Sequence, residues 1–240
     1  MTVVKPWVFA TKPVPECVTC SNRLFSCQHP HITNLSTIRS HHSNILIGSS
    51  TLHNIWRSKY FIRKVDNFHY DTIIGGKIHD SHYSYLVNTG HWSGDANIVI
   101  AVGNNNADSA YGDSYSSIVA QLQSFVCSLL RQNPRHKVVI ASLLYAPKYC
   151  DHSLPRHKNM LDKVRRVNRW IRKFNKKQTG LQFDIGQYGV DGDPMAGDMI
   201  EYRYDDWKEP STSHKLHLIP SVKDEIAKDL VKLYRSMEDL

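Results

Sequence analysis

The chain has 240 residues, 41% hydrophobic and 10% aromatic, enough for one α/β domain with a sizeable core and too apolar for wholesale disorder. No apolar run reaches bilayer-spanning length, and residues 1–7 lack both a long apolar stretch and a small-residue cleavage site, so no signal peptide is expected. The net charge of +8 is unevenly placed: residues 156–177 hold ten of the 30 Lys/Arg and one of the 22 acidic residues, leaving 20 basic and 21 acidic residues elsewhere. The protein is therefore not basic overall but carries one basic segment.

In chain order, residues 1–43 read as an extension, with three early prolines and no helical period. Cys17 and Cys20 form a CxxC half-site that Cys27 and His29, with His31 next to them, complete to a tetrahedral zinc set. The spacing of Cys27, His29 and His31 is tighter than in a usual zinc knuckle, and the competing expectation is a flexible arm with incidental thiols. Five cysteines is an odd number, and Cys127 and Cys150 fall near predicted core elements. That pattern suits a reducing, intracellular compartment, cytoplasmic by expectation, better than a disulfide framework.

From residue 44 a repeating alternation begins. Strands are expected at 44–48, 71–74, 97–102, 137–144 and 181–185, each a short Ile/Val/Leu run bounded by Gly, Asn, Asp or Pro. Continuous apolar runs of this kind suit strands covered on both faces of a parallel sheet. Helices are expected between and after them. Residues 114–132 carry Ile118, Leu122, Phe125 and Leu129 on one face and stop at Asn133-Pro134. Residues 156–177 carry Leu161, Val164, Val167, Ile171 and Phe174. Residues 221–237 carry Val222, Ile226, Leu230 and Leu233, with Ser221 as the expected N-cap. The fold class that follows is α/β, a three-layer α/β/α sandwich with right-handed crossovers. Residues 186–213 form a long aperiodic stretch of the kind that is usually functional or holds short elements.

The first strand runs into Gly48-Ser49-Ser50-Thr51-Leu52, a glycine turn that opens a helix-like segment. A serine there sits at the carboxyl end of a strand, where open α/β sheets bind ligands. The second strand ends in Gly75-Gly76 and the third in Gly103-Asn104-Asn105-Asn106, while His214-Lys215-Leu216-His217-Leu218 precedes the last helix. A nucleophilic serine needs a base and donors aimed at the developing oxyanion. Ser50, His217, a backbone N–H at Gly75 or Gly76 and the Asn105 amide are the right types.

In this order the four segments resemble the sequence blocks of the SGNH, or GDSL-like, hydrolase family. The resemblance covers about residues 44–237. It puts Ser50 at the nucleophile, Gly75 at the second-block glycine, Asn105 at the oxyanion asparagine and His217 at the base. It implies a five-stranded parallel sheet in flavodoxin-like order, a serine esterase acting on small acyl esters, and no cofactor for catalysis. Three positions depart from the family pattern: Ser49, Asn106 and His214 stand where the blocks have aspartate. His214 supplies no negative charge behind His217. Asp205 or Asp206 would have to replace it, or Ser50 and His217 would work as a dyad.

The helix at 156–177 supports a competing expectation. Arg165, Arg169, Arg172 and Lys176 recur three to four residues apart opposite the apolar face, and Lys158, Arg166 and Lys173 widen the stripe. Like charges along a helix repel, and clustered Lys/Arg is the electrostatic footprint of RNA or DNA binding. The alternative is a solvated outer face. SGNH-like domains occur both as esterase-like domains of some non-LTR retrotransposons and as the RNA-binding domain of Oskar, which keeps the fold without a working site. The second expectation is thus a catalytically weak or inactive SGNH-like module binding nucleic acid. Elsewhere, Asp191-Gly192-Asp193 reads as a loop turn, His41, His42, His79 and His82 as surface histidines, and Tyr202, Tyr204 and Trp207 as lid or loop packing.

Overall fold

The Ile/Val runs become parallel strands because their neighbours cover both faces. The computed structural model describes residues 43–52, 55, 58–61, 64–65, 67–73, 76–80, 83–85, 94–107, 112–144, 155–188 and 220–240. The expected extension with Cys17, Cys20, Cys27, His29 and His31 lies outside the described residues, as do Cys150, Asp191, Asp193, Tyr202, Tyr204 and Trp207.

The described strands are β1 (Ser43–Ser49), β2 (Phe68–Ile73), β3 (Ala96–Ala101) and β4 (Lys137–Ile140). The helices are α1 (Asn104–Ala107), α2 (Tyr115–Gln132), α3 (Pro155–Gln178) and α4 (Pro220–Glu238). The sheet order is β2-β1-β3-β4, and every pair is parallel. Leu46 lies opposite both Tyr70 and Val99, and Val99 opposite Val139. The carboxyl ends of all four strands therefore share one rim.

Alternation along the strands sorts the core into two layers. Ile45, Ile47, Ile98 and Ile100 face Ile118, Leu122, Phe125 and Leu129 of α2 and Val164, Val167 and Ile171 of α3. Leu46, Val99 and Val139 face Ile226, Leu230, Leu233 and Tyr234 of α4. These side chains are almost fully buried, and each stabilises the fold by about 1.5–3 kcal/mol relative to exposure. The buried Tyr234 hydroxyl donates to the Ile45 carbonyl at 2.7 Å, pinning α4 to β1, and burial pushes its pKa well up. Trp170 is partly buried in the first layer and stacks on Phe174 at 5.2 Å.

The structure corrects two expectations. Residues 181–185 do not form a full fifth strand. They contribute one parallel bridge, Ala141 to Phe183, with the Ser142 N–H donating to the Phe183 carbonyl at 3.0 Å. The physical reason is that asparagine side chains satisfy the peptide groups around β4. The Asn175 amide accepts from the Ile140 N–H at 3.0 Å and donates to its carbonyl at 2.7 Å. Asn168 does the same for Leu143 at 2.6 and 2.9 Å, and Asn104 for Leu144 at 3.2 and 2.6 Å. A carboxamide offers one acceptor oxygen and an N–H donor, as a strand neighbour's peptide groups do. Gly186 closes this edge: its N–H donates to Ser142 Oγ at 2.7 Å, and a Cβ there would lie 3.0 Å from the Leu143 carbonyl.

Second, α4 begins at Pro220, which places Ser221 inside the first turn and not at the cap. Proline is suited to a first helical position because its missing N–H would be unpaired there anyway. Cys127 lies on α2, which packs on the core, with its own side chain exposed, since the buried face is carried by Leu122, Phe125, Val126 and Leu129. Ser114 caps α2, its Oγ accepting from the Ser117 N–H at 3.1 Å. Among the described residues no helix is long and apolar enough to cross a membrane.

Candidate functional site at the carboxyl rim

β1 ends at Ser49, and the chain turns at once into a 3₁₀ turn, Ser50–Leu52. Leu52 is fully buried in the α4 layer, so the apolar residue after the serine turn anchors it. Ser49 is buried, and its Oγ has no hydrogen-bond partner among the described residues. At the same level β3 ends and Gly103 turns the chain with φ +127, a value open to glycine and rarely to other residues. That turn launches α1, which places Asn104, Asn105 and Asn106 on the rim beside the end of β1.

The three asparagines point to three different partners. Asn104 holds Leu144, as described above. Asn105 Nδ2 donates to the Gly76 carbonyl at 3.0 Å, which ties α1 to the turn after β2. One N–H of that amide is used in this way and the second is left to point elsewhere. Asn106 is fully buried, and its Oδ1 accepts from the Ile78 N–H at 3.0 Å. Its Nδ2 donates to Asp113 Oδ2 at 2.5 Å and to Gln121 Oε1 at 3.0 Å. Gln121 in turn donates from Nε2 to Asp113 at 3.2 Å and meets His79 Nδ1 through Oε1 at 3.1 Å.

The glycine turn is packed from beneath. The Tyr83 hydroxyl donates to the Gly48 carbonyl, and a Cβ at Gly76 would lie 2.8 Å from that hydroxyl. Only glycine fits at 76 without moving a fully buried tyrosine. Burial, reinforced by the Asp71 charge, pushes the Tyr83 phenol far above its ordinary range, so it stays a neutral donor. The Asn106 hydrogen bond holds the Asp113 carboxyl below its ordinary range; partial burial opposes this, and Gln121, His79 and Lys77 add to it.

The structure thus brings the Ser50 backbone, Asn105 and the Gly76 turn to one rim. Gly75, His217, His214, Asp205 and Asp206 lie outside the described residues. Two surface cavities of about 280 and 310 Å³ lie away from the rim, one against His136, Lys137 and Val138 and the other between Phe183 and Asp229. Among the described residues no group of three or more His, Cys, Asp or Glu is placed to hold a metal ion.

The basic face of α3 is partly engaged within the chain. Arg172 contacts a single Asp184 oxygen through Nε at 2.8 Å and through a terminal nitrogen at 2.7 Å. Arg166 lies 4.4 Å from the centre of the Tyr115 ring, and Arg165 lies 3.6 Å from Asp162. Arg169, Lys173 and Lys176 are exposed, and the Lys158 side chain lies outside the described residues. Four groups escaped the sequence reading: Asp113 and Gln121, and Asn168 and Asn175. The last two did leave a signal, as polar residues seven apart within the apolar stripe of a helix.

A comparison with protein-family models finds no match, and neither does one with curated protein sequences. Solved structures do match. The chain is similar to a GDSL-like lipase from Bacteroides thetaiotaomicron, with 15% identity and a TM-score of 0.56 over 82% of this chain and 89% of that one. It is similar to a lipolytic G-D-S-L family protein from Veillonella parvula, with 12% identity and a TM-score of 0.58 over 80% and 97% of the two chains. A carbohydrate acetylesterase from Sinorhizobium meliloti matches with 14% identity and a TM-score of 0.54, over 81% and 99%. The chain has the SGNH, or GDSL-like, hydrolase fold. At these identities the likeness is one of fold, and the chemistry has to be argued from the rim.

Proposed function

We propose that the chain is an SGNH-like serine ester hydrolase acting on small acyl esters. Ser50 Oγ attacks the acyl carbon while His217 takes its proton and passes it to the leaving alcohol. The tetrahedral oxyanion accepts hydrogen bonds from the Ser50 N–H, the Gly75 N–H and the second N–H of the Asn105 amide. Water then attacks the acyl-enzyme, with His217 again as base, and the free acid leaves. No cofactor enters this sequence. Because position 214 is histidine, His217 works as a dyad with Ser50 or takes a carboxylate from Asp205 or Asp206. Disabling the triad acid of a serine protease lowers turnover by about 10⁴, so a slow enzyme is expected.

The observation that carries this reading is the 3.0 Å bond from Asn105 Nδ2 to the Gly76 carbonyl. It joins the two proposed oxyanion elements next to the serine turn. The test is hydrolysis of a short-chain aryl ester by native protein and by Ser50→Ala. A loss of at least about 10³-fold is expected; equal rates reject the reading.

A second reading rests on Arg169, Lys173 and Lys176, which are exposed and have no carboxylate partner among the described residues. On this reading α3 binds the phosphates of RNA or DNA. Affinity for a labelled single strand should then fall steeply with salt and drop when all three are changed to Glu. A flat salt response removes it.

A further inference from the structure

We infer that Asp113 is a positioning residue for the oxyanion elements, acting through Asn106; this rests on the hydrolase reading above. Two stitches join the turn after β2 to α1. Asn105 Nδ2 donates to the Gly76 carbonyl, and the Ile78 N–H donates to Asn106 Oδ1. The second stitch forms only if the Asn106 amide points its oxygen at Ile78. A carboxamide's two ends are nearly the same size, so shape alone does not select that orientation.

Asp113 selects it. An ionised carboxylate only accepts, so the group 2.5 Å from Asp113 Oδ2 has to be the Asn106 nitrogen. The same carboxylate orients Gln121, whose Nε2 donates to Asp113 at 3.2 Å and to Ser117 Oγ at 2.9 Å. Gln121 Oε1 is thereby turned to accept from Asn106 Nδ2 at 3.0 Å. It is also turned toward His79 Nδ1 at 3.1 Å. The Asp113 N–H closes the loop onto the Asn106 carbonyl at 2.9 Å. Every polar atom of the fully buried Asn106 side chain is satisfied, and a single negative charge dictates the direction of each bond. Among the described residues, the charged or titratable groups facing it are His79 and Lys77 from the turn after β2, and α2 contributes the neutral Gln121.

The device is directional, so it can be reversed. In the double exchange Asn106→Asp with Asp113→Asn, a carboxylate at 106 accepts from both Ile78 and the amide at 113, with Gln121 turned over. In Asn106→Asp alone, two carboxylates face each other at a site built for one, and they share a proton. That proton is lost as pH rises through the raised value, so the rate of this variant relative to native should fall as pH rises.

The experiment measures kcat and KM for a short-chain aryl ester from pH 4.5 to 8.5, and hydrogen exchange at the Ile78 amide, for native protein, Ser50→Ala, Asp113→Asn, Asn106→Asp and the double exchange. Asp113→Asn is expected to lose about tenfold in kcat with KM nearly unchanged, as a misaligned oxyanion element should. It should also speed Ile78 exchange. Asn106→Asp should keep its largest fraction of the native rate at the acid end, and the double exchange should recover both readouts. Unchanged Ile78 exchange in Asp113→Asn overturns the network itself. Unchanged kcat alongside a Ser50-dependent rate overturns the positioning role alone. A rate that survives Ser50→Ala overturns the hydrolase reading and with it any catalytic role for Asp113, while the Ile78 result still reports on the hydrogen bonds.

Discussion

Two asparagine-rich regions of this protein use the same side chain for different ends. Around β4, Asn168 and Asn175 stand in for a neighbouring strand, each clamping both peptide groups of one residue. At the rim, Asn105 and Asn106 join two turns, and one N–H of Asn105 is left for the proposed oxyanion. The first pair is internal, each amide engaging both peptide groups of one residue; at the rim Asn106 is buried and fully engaged, and Asn105 is tied through one N–H. A carboxamide that completes a sheet and one proposed to hold an oxyanion therefore differ in where the fold places them, not in residue type.

The largest effect that separates the two regions should come from the β4 clamps. Asn175→Ala or Asn168→Ala strips a partner from one N–H and one carbonyl in a buried site, a loss of about 3 kcal/mol at roughly 1–3 kcal/mol per orphaned group. Urea titration would measure it, and a loss below 1 kcal/mol would mean that water replaces the amide and the strand analogy is wrong. Next, Asn105→Ala should lower kcat by about 10²-fold while moving the urea midpoint little. A large stability loss with kcat intact would make Asn105 another clamp and erase the contrast.

A smaller effect of opposite sign is expected between the regions' edges, at Ser49. Its buried hydroxyl lacks a partner among the described residues, so Ser49→Ala should stabilise the protein by about 1 kcal/mol. Destabilisation would reveal a hydrogen bond from elsewhere. The smallest effect belongs to Arg172→Ala beside the β4 edge. Its pair with Asp184 is partly exposed, which limits the loss to about 0.2–1 kcal/mol, shrinking further in salt. A loss as large as that of Asn175→Ala would move the weight of that edge from the amides to the ion pair.

Much of the scaffold was legible from residue pattern. The strand runs, the apolar faces of α2, α3 and α4 and the stop at Asn133 all follow from period and turn chemistry. The rim was legible only in part. Gly76, Gly103 and Asn105 were found because they follow strands at fixed offsets, whereas Asp113 and Gln121 sit seven and fifteen residues beyond Asn106 in chain number. They meet it because α2 packs back over the end of β3.

Local sequence by itself determined where apolar periods begin and end, because those depend on neighbours within a few residues: four strands, three long helices and the glycine turns that end the strands. Tertiary structure alone decided that the fifth apolar run would make one bridge and not a strand, since the peptide groups it would have paired were already taken by Asn168 and Asn175. It also decided which end of the Asn106 amide faces Ile78. Hydrogen-bond direction depends on the partner across space, and no spacing along the chain encodes which partner arrives.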